Sequence, residues 1–352
     1  ISSADYLGAG ISGIFWFTLA TLISPEEFGE IHYYLAIAGL AYGISFIGSS
    51  DAISVYVAKK IQLQSTLSLL SLVIGTISAI VIILHFTRID VSFLLLVFIV
   101  NDLAIGYLLG KKLFVSYSKY ILTQKSLTLA LGISFYFIFG PDGIIYALAL
   151  SYVHFLIIIY KIFRSSKIDF SVLKSHAGFV SNNYLMKLLT VVETQVDKII
   201  IVPLIGLEIL GNYALALQIV FILMIFPGII YKYTLPQDAT GVETKRIKMI
   251  ALVIAVGLSI LGITLLPTIL LEFFPKYSDA VTAIQIVSIT IVPAAIAHFY
   301  TSKLLGMEKS KTAVISRALK AITVIVGILL LAPTFKIIGL SVAFVLSAII
   351  ET

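Results

Sequence analysis

Cysteine is absent from the 352 residues, which rules out disulfides, thiol catalysis and thiolate-held metal. Charge is scarce as well, since Asp, Glu, Lys and Arg together make up 12% of the chain. A soluble globule of this length needs a polar surface, and so few charges cannot supply one. What fills the sequence instead is apolar: 60% of residues are hydrophobic and the mean hydropathy is +1.10. The chain therefore reads as an all-α polytopic membrane protein. The net charge of +6 would suit nucleic acid only if it were gathered on one face. Its cations lie in short links between apolar runs, so no nucleic-acid partner is expected.

Runs long enough to cross a hydrocarbon core of ~30 Å fall at 6–23, 31–50, 66–86, 91–110, 121–139 and 143–162. After a basic link come 179–204, 211–233, 248–271, 280–305, 312–331 and 338–350, about twelve helices in all. Sorting the 24 Lys and Arg by link tests that count. Links after even-numbered runs carry sixteen of them, among them Lys59, Lys60, Lys111, Lys112, Lys119, Lys161, Arg164, Lys167 and Lys174, whereas odd-numbered links carry only Arg88, Lys276 and Lys336. Such a bias predicts a multi-pass membrane protein with both termini cytoplasmic. The sequence begins without Met and both ends lie at or inside apolar runs, as expected of a chain trimmed at its termini.

One apolar stretch, 181–211, carries more polarity than a lipid-facing helix tolerates: Asn182, Asn183, Lys187, Glu193 and Asp197. A charge at mid-membrane costs about 2.5–3.5 kcal/mol on insertion scales, so these groups are expected to line water or a polar ligand. At 100° per residue Asn183, Lys187, Thr190, Thr194 and Asp197 form one stripe, with Glu193 on its shoulder. Glu193 and Asp197, one turn apart, repel when both are ionised unless a cation intervenes, which makes them candidates for ion coupling.

An internal repeat accompanies these charges. A shift of 182 lays Leu22, Ile23, Glu26 and Gly29 on Leu204, Ile205, Glu208 and Gly211; a shift of 196 lays Gly143, Ala147, Leu150 and Ser151 on Gly339, Ala343, Leu346 and Ser347. Two six-helix lobes in the same orientation are predicted, 1–168 and 169–352. Other intramembrane polar groups are Asp5, Asn101, Asp102, Lys125, Gln218, Arg317 and Lys320. Lys320 follows Arg317 by three residues on one helix face.

The runs SPEEFGEIHYY, VDKIII with GNYALALQ, LPQDAT, FFPKYSDA and GMEKSK, in this order and spacing, resemble the polysaccharide-biosynthesis branch of the MOP flippase superfamily, the Wzx-type oligosaccharide-lipid flippases. Pro275 departs from that pattern, which commonly has Gly before the Lys-x-Tyr turn. The resemblance implies a MATE/MOP-like fold of two lobes around a largely cationic cavity. It also implies alternating access that moves a polyprenyl- or dolichyl-(pyro)phosphate-linked saccharide across the plasma membrane, and it puts the family's acidic position in helix 7 on Asp197. On this reading Lys187, Lys320, Arg317 and Lys125 hold the phosphate, and Asn182, Asn183, Asn101 and Gln218 bond to sugar. Asp197, Glu193, Asp5 and Asp102 are the ion-coupling candidates. The partners expected are the lipid-linked saccharide, membrane lipid, a coupling proton or sodium ion and other glycan-assembly proteins; no cofactor is expected.

Other chemistries fit less well. Gly8, Gly10 and Gly13 spell G-x-G-x-x-G, but no strand precedes them, so they read as helix packing rather than a dinucleotide site. The five histidines are scattered without ligand spacing. An enzyme acting on the same lipid would need a sizeable outer loop or an assembled acid–base site, and neither is visible. The alternative is a MATE-like ion-coupled exporter of small organic molecules, which would favour an acidic cavity over this mixture of signs.

Overall fold

A computed structural model of the chain describes residues 2–47, 49–239, 242, 244–306 and 310–352. Thr240 of LPQDAT and Met307, Glu308 and Lys309 of GMEKSK lie outside the described residues. The described chain is helical and contains no strand: α1 (Ser2–Leu22), α2 (Pro25–Ser45), α3 (Ser49–Ala58), α4 (Gln64–Phe86), α5 (Ile89–Gly110), α6 (Phe114–Phe139), α7 (Gly143–Ser151), α8 (Leu156–Ser165), α9 (Phe170–Ser175), α10 (Ala177–Ile205), α11 (Leu207–Ala239), α12 (Lys245–Thr264), α13 (Leu266–Phe273), α14 (Ala280–Val287), α15 (Ile291–Gly306) and α16 (Ser310–Glu351). In hydrocarbon every backbone group must find its partner within the chain, and uninterrupted apolar helices satisfy that demand. Large apolar side chains accordingly remain exposed on the spans, with Leu84 at 78% and Phe137 at 71%.

Eight helices among the described residues, or nine if α2 and α3 are taken as one bent span, pass a length-and-hydropathy test for crossing a membrane. The test runs α7 into α8 and α14 into α15, and it takes most of α16 as a single segment of 38 residues. At 1.5 Å per residue that segment is far longer than one crossing requires, and it breaks at Lys336 (φ 47°, ψ −125°). Twelve segments, the number read from the sequence, are reached only by taking α2 and α3 as one span, counting the halves of α16 separately and adding α1 and the charge-bearing α10, neither of which is among the eight.

Helix starts and breaks follow from local chemistry. Ser24 and Glu27 form a reciprocal cap at α2: the Glu27 N–H donates to Ser24 Oγ (3.2 Å), and the Ser24 N–H donates to Glu27 Oε2 (2.7 Å). Pro25 then occupies the first helical position, where a missing N–H costs nothing. Pro267 lies at the start of α13, and Pro293 follows a 3₁₀ turn at Ser288–Thr290. Both therefore coincide with interruptions, because proline removes a helical donor and crowds the carbonyl four residues back. Pro227, by contrast, lies inside the continuous α11.

The chain divides into two compact units. The first comprises Ile1–Leu19 and Tyr34–Gln195, the second Ala20–Tyr33 and Val196–Thr352. The sequence repeat is written in the backbone of the second unit. A Cβ added at Gly29 would lie 1.9 Å from the Leu207 carbonyl oxygen, and one added at Gly211 would lie 1.8 Å from that of Pro25. Positions 25 and 29 correspond to 207 and 211 under the shift of 182, so this is the reciprocal contact that a local two-fold relation demands.

The second repeat match recurs at a turn. Gly140 (φ 68°, ψ −159°) and Lys336 (φ 47°, ψ −125°), 196 positions apart, both adopt positive φ. Three residues later, Gly143 and Gly339 each pack so closely against the carbonyl eight residues back that an added Cβ would lie 2.9 Å from the Phe135 oxygen and 2.4 Å from that of Leu331. Glycine takes the first conformation freely, whereas at Lys336 it carries strain of order 1–3 kcal/mol.

Candidate functional site

In the first unit, the middle of α10 packs on α2 because Gly39 and Gly43 have no side chains to obstruct it. A Cβ at Gly43 would come within 2.6 Å of Val191 Cγ1, and one at Gly39 within 3.0 Å of Gln195 Cδ. Small residues four apart are a common device for close helix approach in membranes. This approach brings Tyr42 of α2 beside Lys187 of α10, whose ammonium lies 5.2 Å from the centre of the Tyr42 ring. Tyr42 is itself held by Phe46 and Phe98, at ring-centre distances of 5.5 and 6.1 Å.

Asp102 of α5 receives the polar ends of this group. Lys187 Nζ lies 3.2 Å from Asp102 Oδ2, the Tyr42 hydroxyl donates to the same oxygen, and Asn101 Nδ2 donates to Oδ1 at 3.2 Å. Three donors around one carboxylate, one of them charged, make a strong and directional arrangement. The pair is only partly covered, with side-chain exposures of 28% for Lys187 and 18% for Asp102. It therefore avoids the full desolvation penalty of a buried ion pair and stays within reach of a polar ligand.

Asn101 joins this group to a cavity of about 380 Å³ in the same unit, lined also by Asp5, Ser12, Gln124, Lys125 and Tyr152. Asp5 accepts a hydrogen bond from the Tyr117 hydroxyl at 2.7 Å, and Lys125 stands against Gly8 on α1. Gln124 donates to Thr128 (2.8 Å) and Ser151 (3.2 Å), so the cavity has a hydrogen-bonded floor. The buried Asn101 Oδ1 has no hydrogen-bond partner. A buried acceptor without a donor is costly, so this atom marks a place where a ligand hydroxyl or a water is wanted. The sequence thus places five of its site residues together here: Lys187, Asp102, Asn101, Asp5 and Lys125. Asn182 is exposed, Asn183 donates back to the Phe179 carbonyl at 2.9 Å, and Glu193 is half-buried.

In the second unit the remaining candidates occupy separate positions. Asp197 is 6% exposed and pairs with its neighbour Lys198 at 3.1 Å, which supplies the cation that offsets its charge. The buried hydroxyl of Tyr213 is without a hydrogen-bond partner. Gln218 Nε2 lies 2.8 Å from His32 Nε2, and His32 Nδ1 lies 2.9 Å from the Phe28 carbonyl oxygen. A carbonyl only accepts, so Nδ1 carries the proton and Nε2 accepts from Gln218. Lys320 pairs with Glu351 at 2.8 Å, and Arg317 is exposed.

Sequence reasoning missed Tyr42, His32 and Glu351 as partners of the candidate site residues. For Tyr42 a signal was present, the Gly39-x-x-x-Gly43 face on which it sits. The other two partnerships join residues 186 and 31 positions apart in sequence, and spacing within one helix does not register them.

No protein-family profile matches the chain, and no curated protein is similar to it in sequence. Solved structures do match over its full length. An inward-facing multidrug resistance MATE family transporter of the MOP superfamily aligns with a TM-score of 0.71 at 16% identity, covering 100% of this chain and 92% of that one. The lipid II flippase MurJ, in an inward closed conformation, aligns with a TM-score of 0.74 at 13% identity, covering 99% and 85%. A MOP superfamily transporter from Pyrococcus furiosus Vc1, noted for the reverse polarity of its binding pocket, aligns at 0.51 and 16%, covering 99% and 90%. This chain therefore has the fold that these MOP-superfamily transporters share.

Proposed function

We propose that the protein is a flippase that moves a polyprenyl- or dolichyl-(pyro)phosphate-linked oligosaccharide across the plasma membrane by alternating access of two six-helix lobes, 1–168 and 169–352. The observation that carries this reading is the mixed-sign polar wall of the first unit. There the Lys187–Asp102 pair adjoins, through Asn101, a cavity holding Lys125 and Asp5. Such a wall offers ammonium groups to a phosphate and amide and carboxylate groups to sugar hydroxyls. The isoprenoid tail, being apolar, has no reason to leave the lipid, so only the head needs shelter. Lys187, Lys125, Lys320 and Arg317 are assigned to the phosphate. Asn101, Asn182, Asn183 and Gln218 are assigned to the saccharide. Asp5, Asp102, Glu193 and Asp197 are assigned to coupling with a proton or sodium gradient.

The fold shared with a lipid II flippase supports this reading, and the fold shared with multidrug MATE transporters supports a second one, ion-coupled export of small organic molecules. Purified protein reconstituted in vesicles with a fluorescent lipid-linked saccharide decides between them. Lys187→Ala is expected to abolish flipping while membrane insertion stays normal, and organic cations are expected not to compete. Wild-type flipping by that variant would end the proposal, and competition by organic cations would favour the second reading.

A further inference from the structure

A cavity of about 410 Å³ in the second unit lies against the break in α16, lined by Asp279, Thr282, Thr334, Phe335 and Lys336 with Ile209 and other apolar groups. Its volume falls in the ordinary range for small-molecule sites. It shares no residue with the polar wall of the first unit, and the sequence reading assigned it nothing.

The backbone at Lys336 gives the cavity its interest. The matching turn of the other repeat puts Gly140 at the corresponding position, also with positive φ, followed by the same tight glycine contact three residues later. Glycine is the residue this turn calls for, because a Cβ is poorly tolerated at positive φ with extended ψ. A lysine there holds a strained conformation, and strain of that kind persists where a side chain has a task. Neither Lys336 nor Asp279 belongs to an ion pair among the described residues. The cavity thus presents a free ammonium, a free carboxylate, two threonine hydroxyls and the half-exposed ring of Phe335.

We infer that this cavity is a second binding site, for a saccharide that bears a carboxylate or phosphate. Lys336 takes the anionic group, Asp279 and the two threonines take sugar hydroxyls, and the Phe335 ring lies under a C–H face of the sugar. The inference deepens the saccharide reading and rests on it. The link containing Lys336 is one that the lysine–arginine bias assigns to the outer side, so the site would receive the head group once it has crossed.

The test uses the full chain in lipid nanodiscs and needs no transport. Isothermal titration with glucose 1-phosphate, glucuronate, glucose and inorganic phosphate measures affinity, and thermal denaturation measures stability. Glucose 1-phosphate and glucuronate are expected to bind at least tenfold more tightly than glucose or inorganic phosphate. Lys336→Gly is expected to bring both down to the level of glucose while raising the melting temperature by about 2 °C or more. Lys336→Ala removes the same charge without relieving the turn, so it loses binding with no gain in stability. Unchanged affinity in Lys336→Gly, equal binding of inorganic phosphate, or no rise in melting temperature would each overturn the inference. A polyprenyl-phosphate-linked sugar placed in the same nanodisc identifies the source: tighter binding than glucose 1-phosphate points to the lipid-linked head, weaker binding to a free sugar acid. Failure of the Lys187→Ala flipping test with this binding intact would discard the flippase and leave a saccharide site.

Discussion

Asp102 is the single side chain on which most of the first unit's polar wall converges, since Lys187, Tyr42 and Asn101 all donate to it. Replacing it by Asn keeps the shape and removes the charge. The ammonium of Lys187 then loses a charge-assisted hydrogen bond of roughly 1.5–3 kcal/mol and turns toward any anion in reach. Asp102→Asn is therefore expected to bind a lipid-linked phosphate several-fold more tightly but to release it slowly, lowering turnover in vesicles. Tyr42→Phe, which removes one donor and keeps the ring beside Lys187, should shift both quantities less. Equal affinities for wild type and Asp102→Asn would mean that Lys187 is not the phosphate ligand. The polar stripe on α10 was legible in the sequence because helical spacing puts its members on one face. Its chief partner was named only as an ion-coupling candidate, because 85 positions separate Lys187 from Asp102 and helical periodicity carries no information about contacts at that range.

Among the elements, the crossing of α2 and α11 at Gly29 and Gly211 leaves no room for even one methyl group, as the distances of 1.9 and 1.8 Å require. Gly29→Ala and Gly211→Ala are each expected to destabilise the protein by about 1–3 kcal/mol through overpacking, seen as a lower melting temperature in detergent. The repeat adds a sharper expectation: the two substitutions act on one contact, so their effects in the double variant should fall short of the sum. This contact was half-legible, since the gap-free match of the two glycines announced equivalent positions, while their meeting in space is a property of the folded chain.

A second junction ties α11, α12 and α15. Asp238 accepts from Lys248 Nζ at 2.6 Å and from the hydroxyls of Thr244 and Ser302 at 2.5 Å each. Burial alone would raise the Asp238 pKa, but these hydrogen bonds and the Lys248 charge outweigh it and hold the carboxyl below its usual value. A carboxyl depressed in the folded state contributes stability that is complete above the unfolded pKa of about 3.9 and disappears as pH falls through the folded value. Asp238→Asn should thus lower the melting temperature by roughly 3 °C at neutral pH, and the gap from wild type should close in strong acid. A gap independent of pH would show that shape, not charge, holds the three helices.

For the whole molecule, the distribution of cations makes the strongest statement and the easiest to check. Sixteen Lys and Arg fall in links of one parity and three in the other, and basic links are retained on the cytoplasmic side during insertion. That the chain is built of membrane-length apolar helices was legible because hydrocarbon thickness fixes span length; the breaks inside spans were less so, because a 3₁₀ turn such as Ser288–Thr290 leaves the apolar run intact. Orientation depends on the count being even between like-charged links, so one test examines both. The chain has no cysteine, and each introduced cysteine is therefore a unique target for a membrane-impermeant maleimide. Lys112→Cys and Lys167→Cys are expected to react only after cells are opened, whereas Thr87→Cys and Ser278→Cys should react in intact cells. These four positions stand in the links between α4 and α5, α5 and α6, α8 and α9, and α13 and α14, so one miscounted span would invert part of the pattern. Labelling of Lys167→Cys from outside, with Lys112→Cys still protected, would break the twelve-span topology between them and with it the like orientation of the two repeats on which the lobe assignment depends.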